Sequence, residues 1–417
     1  MPISRRGLLA LPALAALPAL IGRADAAEPI KIGFILPLTG NSAAMGQSVK
    51  QAVELAEDII NNPTPQLAFL PLASEEGIPS LGNAPVKVLF ADNQGSPAVG
   101  QSAALRLITQ DHVVALCGAY QSSVTLTSSA VAERYGIPYV NGMSTAANLT
   151  ERGYKWFFRT TPIGPDFARL YFDFLAYLTK QGTPTERMAV LHENTDYGTS
   201  VAQSIASVAA KRGIKINQDI AYNANGTDVS PEVLQLKKAK PDVVIFVSYT
   251  SDAILYMKTF HTLDYRPPIV IGDDSGFSDP SFVTTVGPIA QGALNRSPFV
   301  PGKPGSTTYK VNEMFRKRTG RDMDGTTARG MQGFLVLCDA INRAGSTRPD
   351  AIREALVKTD LPRSELMIDY KGVKFNAQGQ NILSYSMLIQ LQGDHYVPVW
   401  PTAEATAKLE LPFKGWA

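Results

Sequence analysis

The residues that most enzyme chemistry draws on are scarce in this chain. Two cysteines, Cys117 and Cys338, and four histidines, His112, His192, His261 and His395, are spread over 417 residues. No two histidines stand at metal-ligand spacing, and CxxC and HExxH are both missing, so no metal site is expected. GxSxG, GxGxxG and GxxxxGK followed by Ser or Thr are missing too. Their absence argues against an elbow-borne serine nucleophile, a dinucleotide cofactor and a P-loop. No cofactor is expected, and the chain does not read as an enzyme. The adjacent His192 and Glu193 follow a strand, where a solvated loop is the alternative to an acid–base pair. Two cysteines also cannot build a disulfide scaffold. Cys117 ends an apolar strand and Cys338 lies in an apolar helix, so both read as small buried residues.

An excess of charge of one sign is lacking as well. Met1–Ala26 reads as a secretory signal: Ser4-Arg5-Arg6-Gly7-Leu8-Leu9, an apolar run to Ile21 broken by Pro12 and Pro18, then Ala24-Asp25-Ala26 as the cleavage site. The paired arginines are twin-arginine-like. Taking Arg5, Arg6, Arg23 and Asp25 from the 39 basic and 37 acidic residues leaves 36 of each. A mature chain without net charge has no attraction for nucleic acid or an anionic membrane. No second membrane-length apolar run follows residue 26, and no lipid-accepting cysteine follows the signal. The expected location is the periplasm, as a soluble protein.

What the chain has in quantity is alternation of strand and helix. Short Val/Ile-rich runs (Ile30–Ile35, Val86–Phe90, Val113–Cys117, Ile137–Val140) are separated by helical periods such as Gln47–Ile60 and Ala98–Thr109. A second series runs from Met188 to Ile271, beyond the helix Asp166–Gln181. Regular alternation of this kind builds parallel sheets covered by helices, and two series predict two α/β lobes. Past residue 290 the pattern turns helical (306–319, 327–344, 349–358) and ends in strand pieces at 368–375 and 384–391. The five prolines between Asn61 and Pro85 read as a surface excursion.

Two successive strand ends deliver hydroxyls to helix starts. Ser122 and Ser123 follow Val113–Cys117, and Ser144 and Thr145 follow Ile137–Val140. The first of these helices stops at Gly136, a residue suited to the position after a helix C-terminus. Helix N-termini offer unpaired N–H groups and partial positive charge, which together hold an anion. The same hydroxyls also serve as helix caps, and both readings stand. Asp273-Asp274 follow the strand Ile269–Ile271. Adjacent carboxylates do not face each other, so one of them facing a cleft is the reading, with a turn-forming Asp as the alternative.

The segments IKIGFILPLTGNSAAMG, ADNQGSP, CGAYQSSVT, GIPYVNGMSTAANLTERGYKWFFRTTP, ENTDYG and PDVVIFVSYTSDA resemble those of the periplasmic substrate-binding proteins of ABC importers, in particular the leucine/isoleucine/valine-binding group. The resemblance spans residues 29–400. It implies a type I periplasmic binding protein fold: two Rossmann-like lobes with parallel sheets, joined by a three-crossover hinge. Lobe 1 would comprise 27–161 and 291–381, and lobe 2 would comprise 162–290 and 382–417. Crossovers fall near 160–163, 290–295 and 380–384. Position by position, Ser122 would bind a ligand α-carboxylate beside Ser123. Thr145 and the backbone near Met143 would complete the contacts, Tyr197 and Tyr249 would close from lobe 2, and Asp274 would pair with an α-ammonium. Met45, Met143 and Phe277 are available to wall a side-chain pocket. The implied ligand is a small uncharged or branched-chain amino acid, or alternatively an aromatic or aliphatic carboxylate or an amide. The implied partners are the membrane permease subunits of the importer. The chain departs from the group in its long 61–85 segment, in Gln121 where some members place a disulfide cysteine, and in Met45 itself.

Overall fold

In the computed structural model the described residues are Met1 and 28–416, so the signal reading of 1–26, Met1 apart, lies outside them. The first sheet is five-stranded and wholly parallel. Its strands are β1 (Ile30–Leu36), β2 (Val86–Asp92), β3 (Ala115–Gly118), β4 (Tyr139–Asn141) and β5 (Phe157–Arg159), in the order β2-β1-β3-β4-β5. Burial on both faces explains why its central strands are nearly continuous in apolar residues: every residue of β3 and β4 is buried.

The second sheet has seven strands. The parallel part comprises β6 (Met188–Glu193), β7 (Ile216–Tyr222), β8 (Val243–Val247), β9 (Ile269–Gly272) and β10 (Leu294–Ser297). A two-stranded ribbon, β11 (Asp360–Pro362) with β12 (Gly372–Lys374), stands apart. β13 (Met387–Gln392) and β14 (His395–Trp400) complete the second sheet as antiparallel strands beside β10, giving the order β14-β13-β10-β9-β8-β6-β7. This sheet is therefore mixed, where two parallel sheets were expected. A tight hairpin can join β13 to β14 only in antiparallel sense.

Three expectations about the later chain need correcting. β10 pairs with β9 and β13, so 294–297 belong to the second sheet. The passage back to the first lobe thus lies after Ser297, not at 290–295. Of the expected strand 368–375 only Gly372–Lys374 is extended in a ladder, and 384–391 narrows to Met387–Gln392. The 61–85 segment is no loose excursion: Leu67, Leu70, Leu72, Ala73 and Ile78 are buried in the first core, and Asn342 Oδ1 accepts from the Ser80 amide at 3.1 Å.

Two of the connections between lobes run side by side. The Arg159 amide donates to Gly379 O at 2.7 Å, and the Asn381 amide to Arg159 O at 2.8 Å. Gln380 Nε2 reaches Thr161 O at 2.8 Å and Asn381 Nδ2 reaches Thr160 O at 3.0 Å. Both cysteines are free and buried in the first core. Among the described residues no helix is long and apolar enough to cross a membrane.

Candidate functional site

The loops after β3 and β4 meet at the mouth of the first sheet. The helix Ser122–Tyr135 begins directly after the β3 loop and ends at Gly136, whose φ of 65° is left-handed. Ser122 does not cap this helix. Its Oγ accepts from the Ala146 amide at 3.3 Å and ties the two loops together. Ser144 is consumed by the scaffold: its hydroxyl lies 2.6 Å from Thr125 Oγ1 and donates to Ala119 O at 2.8 Å. The Met143 amide donates to Asn141 Oδ1 at 3.1 Å, so it is not available to a ligand. Thr145 is different. Its side chain and amide, like the amides of Ser122 and Ser123, make no hydrogen bond among the described residues. Four N–H or O–H donors, those three amides and the Thr145 hydroxyl, thus converge at two adjacent loop ends, as an anion site requires.

A cation that sequence reasoning missed lies beneath them. Arg159, the last residue of β5, is fully buried. It donates to Ala146 O at 2.6 Å and Ser144 O at 3.3 Å, to Thr150 Oγ1 at 2.8 Å and to Gln380 Oε1 at 2.7 Å. Every one of these acceptors is neutral. Burial lowers the guanidinium to about 9, a direction that Asp166 opposes. By drawing the carbonyls of 144–146 toward itself, Arg159 orients that loop. Its own position was readable only as the end of an apolar strand.

The second lobe answers with aromatic rings. Tyr249, which precedes the helix Thr250–Thr262, lies 5.6 Å from the ring of Tyr120 and 5.4 Å from that of Tyr197. The lobes also touch where the Ala147 amide donates to Ser200 Oγ at 2.9 Å and where Asn41 Nδ2 donates to Asn225 Oδ1 at 2.8 Å. Among the described residues, Tyr120 Oη and Ser248 Oγ are buried without a partner at this junction. Tyr197 donates to Asp273 Oδ2 at 2.9 Å, and burial together with Asp273 pushes its phenol well up.

Asp274 sits at the floor with φ 59°, ψ −101°, a conformation costly for a residue other than glycine. It is fully buried, and its oxygens are engaged. Oδ1 accepts from Ser278 at 2.6 Å, while Oδ2 accepts from Arg296 at 3.3 Å and also pairs with Arg329. Arg296 additionally reaches Asp273 Oδ1 at 3.1 Å, shared with the Tyr171 hydroxyl, and lies 3.4 Å from the Phe167 ring centroid. Burial would lower the Arg296 guanidinium, but Asp273 and Asp274 outweigh it and the group is raised. The expected acid is thus at the junction, but with two arginines on it. Neither arginine carried a signal in the sequence, because each comes from a distant segment.

The expected pocket walls divide. Met143 is buried in the first core and lies under the junction, its Sδ 3.2 Å from where a Cβ on Gly330 would stand. Met45 is buried in the same core. Phe277 packs on Phe246 and Phe282, with centroids at 5.5 and 4.7 Å, and is a core ring of the second lobe. Two surface cavities of about 620 and 550 Å³ flank the junction. Neither is lined by Ser122, Thr145, Tyr197, Tyr249 or Asp274.

Comparison with known proteins agrees with this fold. Leu/Ile/Val-binding protein homolog 7 of Brucella suis biovar 1 (strain 1330) is 28% identical over 408 residues, spanning 94% of this chain and 96% of that protein. The fold is similar to that of the branched-chain amino acid transporter substrate binding protein LivJ of Streptococcus pneumoniae in complex with isoleucine. That structure has a TM-score of 0.74 and 21% identity, covering 92% of this chain and 100% of that one. It is similar as well to a solute binding protein of an ABC transporter from Rhodopseudomonas palustris BisB5 in complex with 3,4-dihydroxybenzoic acid. There the TM-score is 0.73 at 17% identity, covering 89% of this chain and 96% of that one. A family model described as periplasmic binding protein matches residues 29–388. With that match running through both lobes and every residue of the junction, the chain belongs to the periplasmic binding protein family.

Proposed function

We propose that this chain is the extracytoplasmic receptor of an ABC importer, closing its two lobes on a small ligand that carries a carboxylate. The observation that carries the reading is the set of unpaired donors at Ser122, Ser123 and Thr145, backed by Arg159 and faced by Tyr197 and Tyr249. Charge-assisted hydrogen bonds from several fixed donors suit a carboxylate. A ligand touching both lobes favours closure through its differential contacts alone, and permease subunits in the membrane would receive it unchanged. The relatives' names support a branched-chain amino acid. The dihydroxybenzoate-bound neighbour supports a second reading, an aromatic or aliphatic acid without an amine.

Denaturing protein purified from its native host and identifying the released small molecule by mass spectrometry tests the proposal. A small carboxylate at near one per chain is the expected result. Turnover of that molecule by the protein would overturn the receptor reading. The proposed location has its own check. The N-terminus of exported material should begin near Ala27 or Glu28, and a cytoplasmic protein retaining Met1 would refute export. Arg5→Lys with Arg6→Lys should block export if the twin-arginine route is used and leave it intact otherwise.

A further inference from the structure

The two finer readings differ in one group, the α-ammonium, and the junction carries an internal answer. Resting on the carboxylate-receptor reading above, we infer that Arg329 occupies the place a ligand ammonium would take, so that the cleft selects a carboxylate without an α-amine. Arg329 belongs to the helix Gly325–Ala344, which packs in the first lobe. The loop that bears Thr145 lies directly on this helix, since a Cβ on Gly142 would stand 2.3 Å from Arg329 O. Its guanidinium is held by Thr161 Oγ1 at 2.9 Å, Thr326 Oγ1 at 3.0 Å and Gly325 O at 3.3 Å, and from there it crosses to Asp274 of the second lobe.

The charges then balance without a ligand amine. Asp273 and Asp274 face Arg296 and Arg329, all four essentially fully buried. A third cation brought to Asp274 would meet two guanidinium groups already on it, and like charges at such range are strongly unfavourable where water is excluded. Three other carboxylates near the lobe junction are bound to helix starts. Glu193 accepts from the Gly198 amide at 2.6 Å, Asp279 from the Ser281 amide at 2.8 Å, and Asp324 from the Thr326 and Thr327 amides at 2.8 and 2.9 Å. Two candidates remain: Asp196, which lines the cavity beside Ala147 and Ser200, and Asp252, with one oxygen on the Asn225 amide at 2.8 Å and the other buried without a partner among the described residues. On the opposite side of the balance, Arg159 is a buried cation whose hydrogen bonds all go to neutral acceptors. A ligand with one negative charge suits the donors that this cation orients. A zwitterion adds a cation for which, of the acids near the junction, only Asp196 and Asp252 remain.

The test uses shape-matched pairs: leucine against 4-methylpentanoate, and phenylalanine against 3-phenylpropanoate, with benzoate added. Titration calorimetry of the mature protein should show an acid binding at least ten-fold tighter than its amino acid. Arg329→Met frees Asp274 and should move that ratio at least ten-fold toward the amino acid, whereas Arg329→Lys, which keeps the charge, should leave the wild-type order. Wild-type protein that binds an amino acid as well as or better than its acid overturns the inference while leaving the receptor reading intact. If Asp252→Asn abolishes that amino-acid binding, the ammonium belongs at Asp252, and the inference is again wrong. Failure of every acid and amino acid to bind wild-type protein overturns the carboxylate reading itself, and the inference with it.

Discussion

Arg159 shows how much one side chain can decide. Four neutral groups depend on it, and the loop bearing Thr145 and Ala146 is shaped by its guanidinium. Arg159→Met leaves Gln380 Oε1 buried without a donor, at about 1–3 kcal/mol, and leaves Ala146 O with only the Leu149 amide at 3.3 Å. The melting temperature should fall by several degrees, and ligand affinity should fall with it. Arg159→Lys keeps the charge but loses the planar fork. Calorimetry should then show weakened binding with a smaller loss of stability. Equal losses in the two variants would mean that the fork does not position the loop. Asp252 makes a pH-dependent prediction. Burial first, and Glu193 after it, push its carboxyl up to about 6 against the model-compound 3.8, and the Asn225 amide only partly opposes this. The folded state therefore holds the proton more tightly than the unfolded chain. Its contribution to stability is present below about pH 4 and is lost as pH rises through 6. At pH 7.5 the charged form costs up to about 3 kcal/mol. Asp252→Asn should raise the melting temperature more at pH 7.5 than at pH 4.5; the same gain at both would mean that the carboxyl is not perturbed.

At the scale of elements, the helix Ser122–Tyr135 was readable almost entire. Its hydroxyl start, its helical period and its Gly136 stop all lie in local sequence. Ser122→Ala removes the acceptor of the Ala146 amide, a hydroxyl whose own proton is left for a ligand. A hydrogen bond to a charged group is worth about 1.5–3 kcal/mol, so binding should weaken roughly ten- to a hundred-fold. Binding at wild-type affinity would make this serine a loop tie and nothing more. β10 was not readable, for a physical reason. Its residues Asn295, Arg296 and Ser297 are polar yet buried, so no apolar alternation marks it. They are tolerated inside because Asp273, Asp274 and the flanking strands β9 and β13 satisfy them. Nothing within a short window of sequence shows those partners.

For the whole molecule the question is motion. The lobes meet through Tyr120 and Tyr249, through Ala147 and Ser200, and through Arg329 and Asp274. Removing one partner of a buried pair leaves the other charge uncompensated. Arg329→Met should therefore favour separated lobes and enlarge the radius of gyration measured by small-angle scattering without ligand. Saturating ligand should contract the wild-type protein. No contraction, and no expansion in the variant, would argue for a rigid single state.

Most of the strand–helix alternation up to Ile271, the pairing of hydroxyls with strand ends and the two-lobed plan were determined by the sequence itself, because apolar period, turn residues and helix stops act over a few neighbours. Tertiary structure alone decided that the second sheet is mixed, that 294–297 serve the second lobe, and that the 61–85 segment packs into the first core. It also decided the chemistry at Asp274. The carboxylate was visible as a strand-end acid, but its charge is answered by residues 22 and 55 positions further along the chain, at Arg296 and Arg329. What a buried carboxylate can bind depends on which cations share its low-dielectric surroundings. That set is assembled only when two lobes and three segments come together.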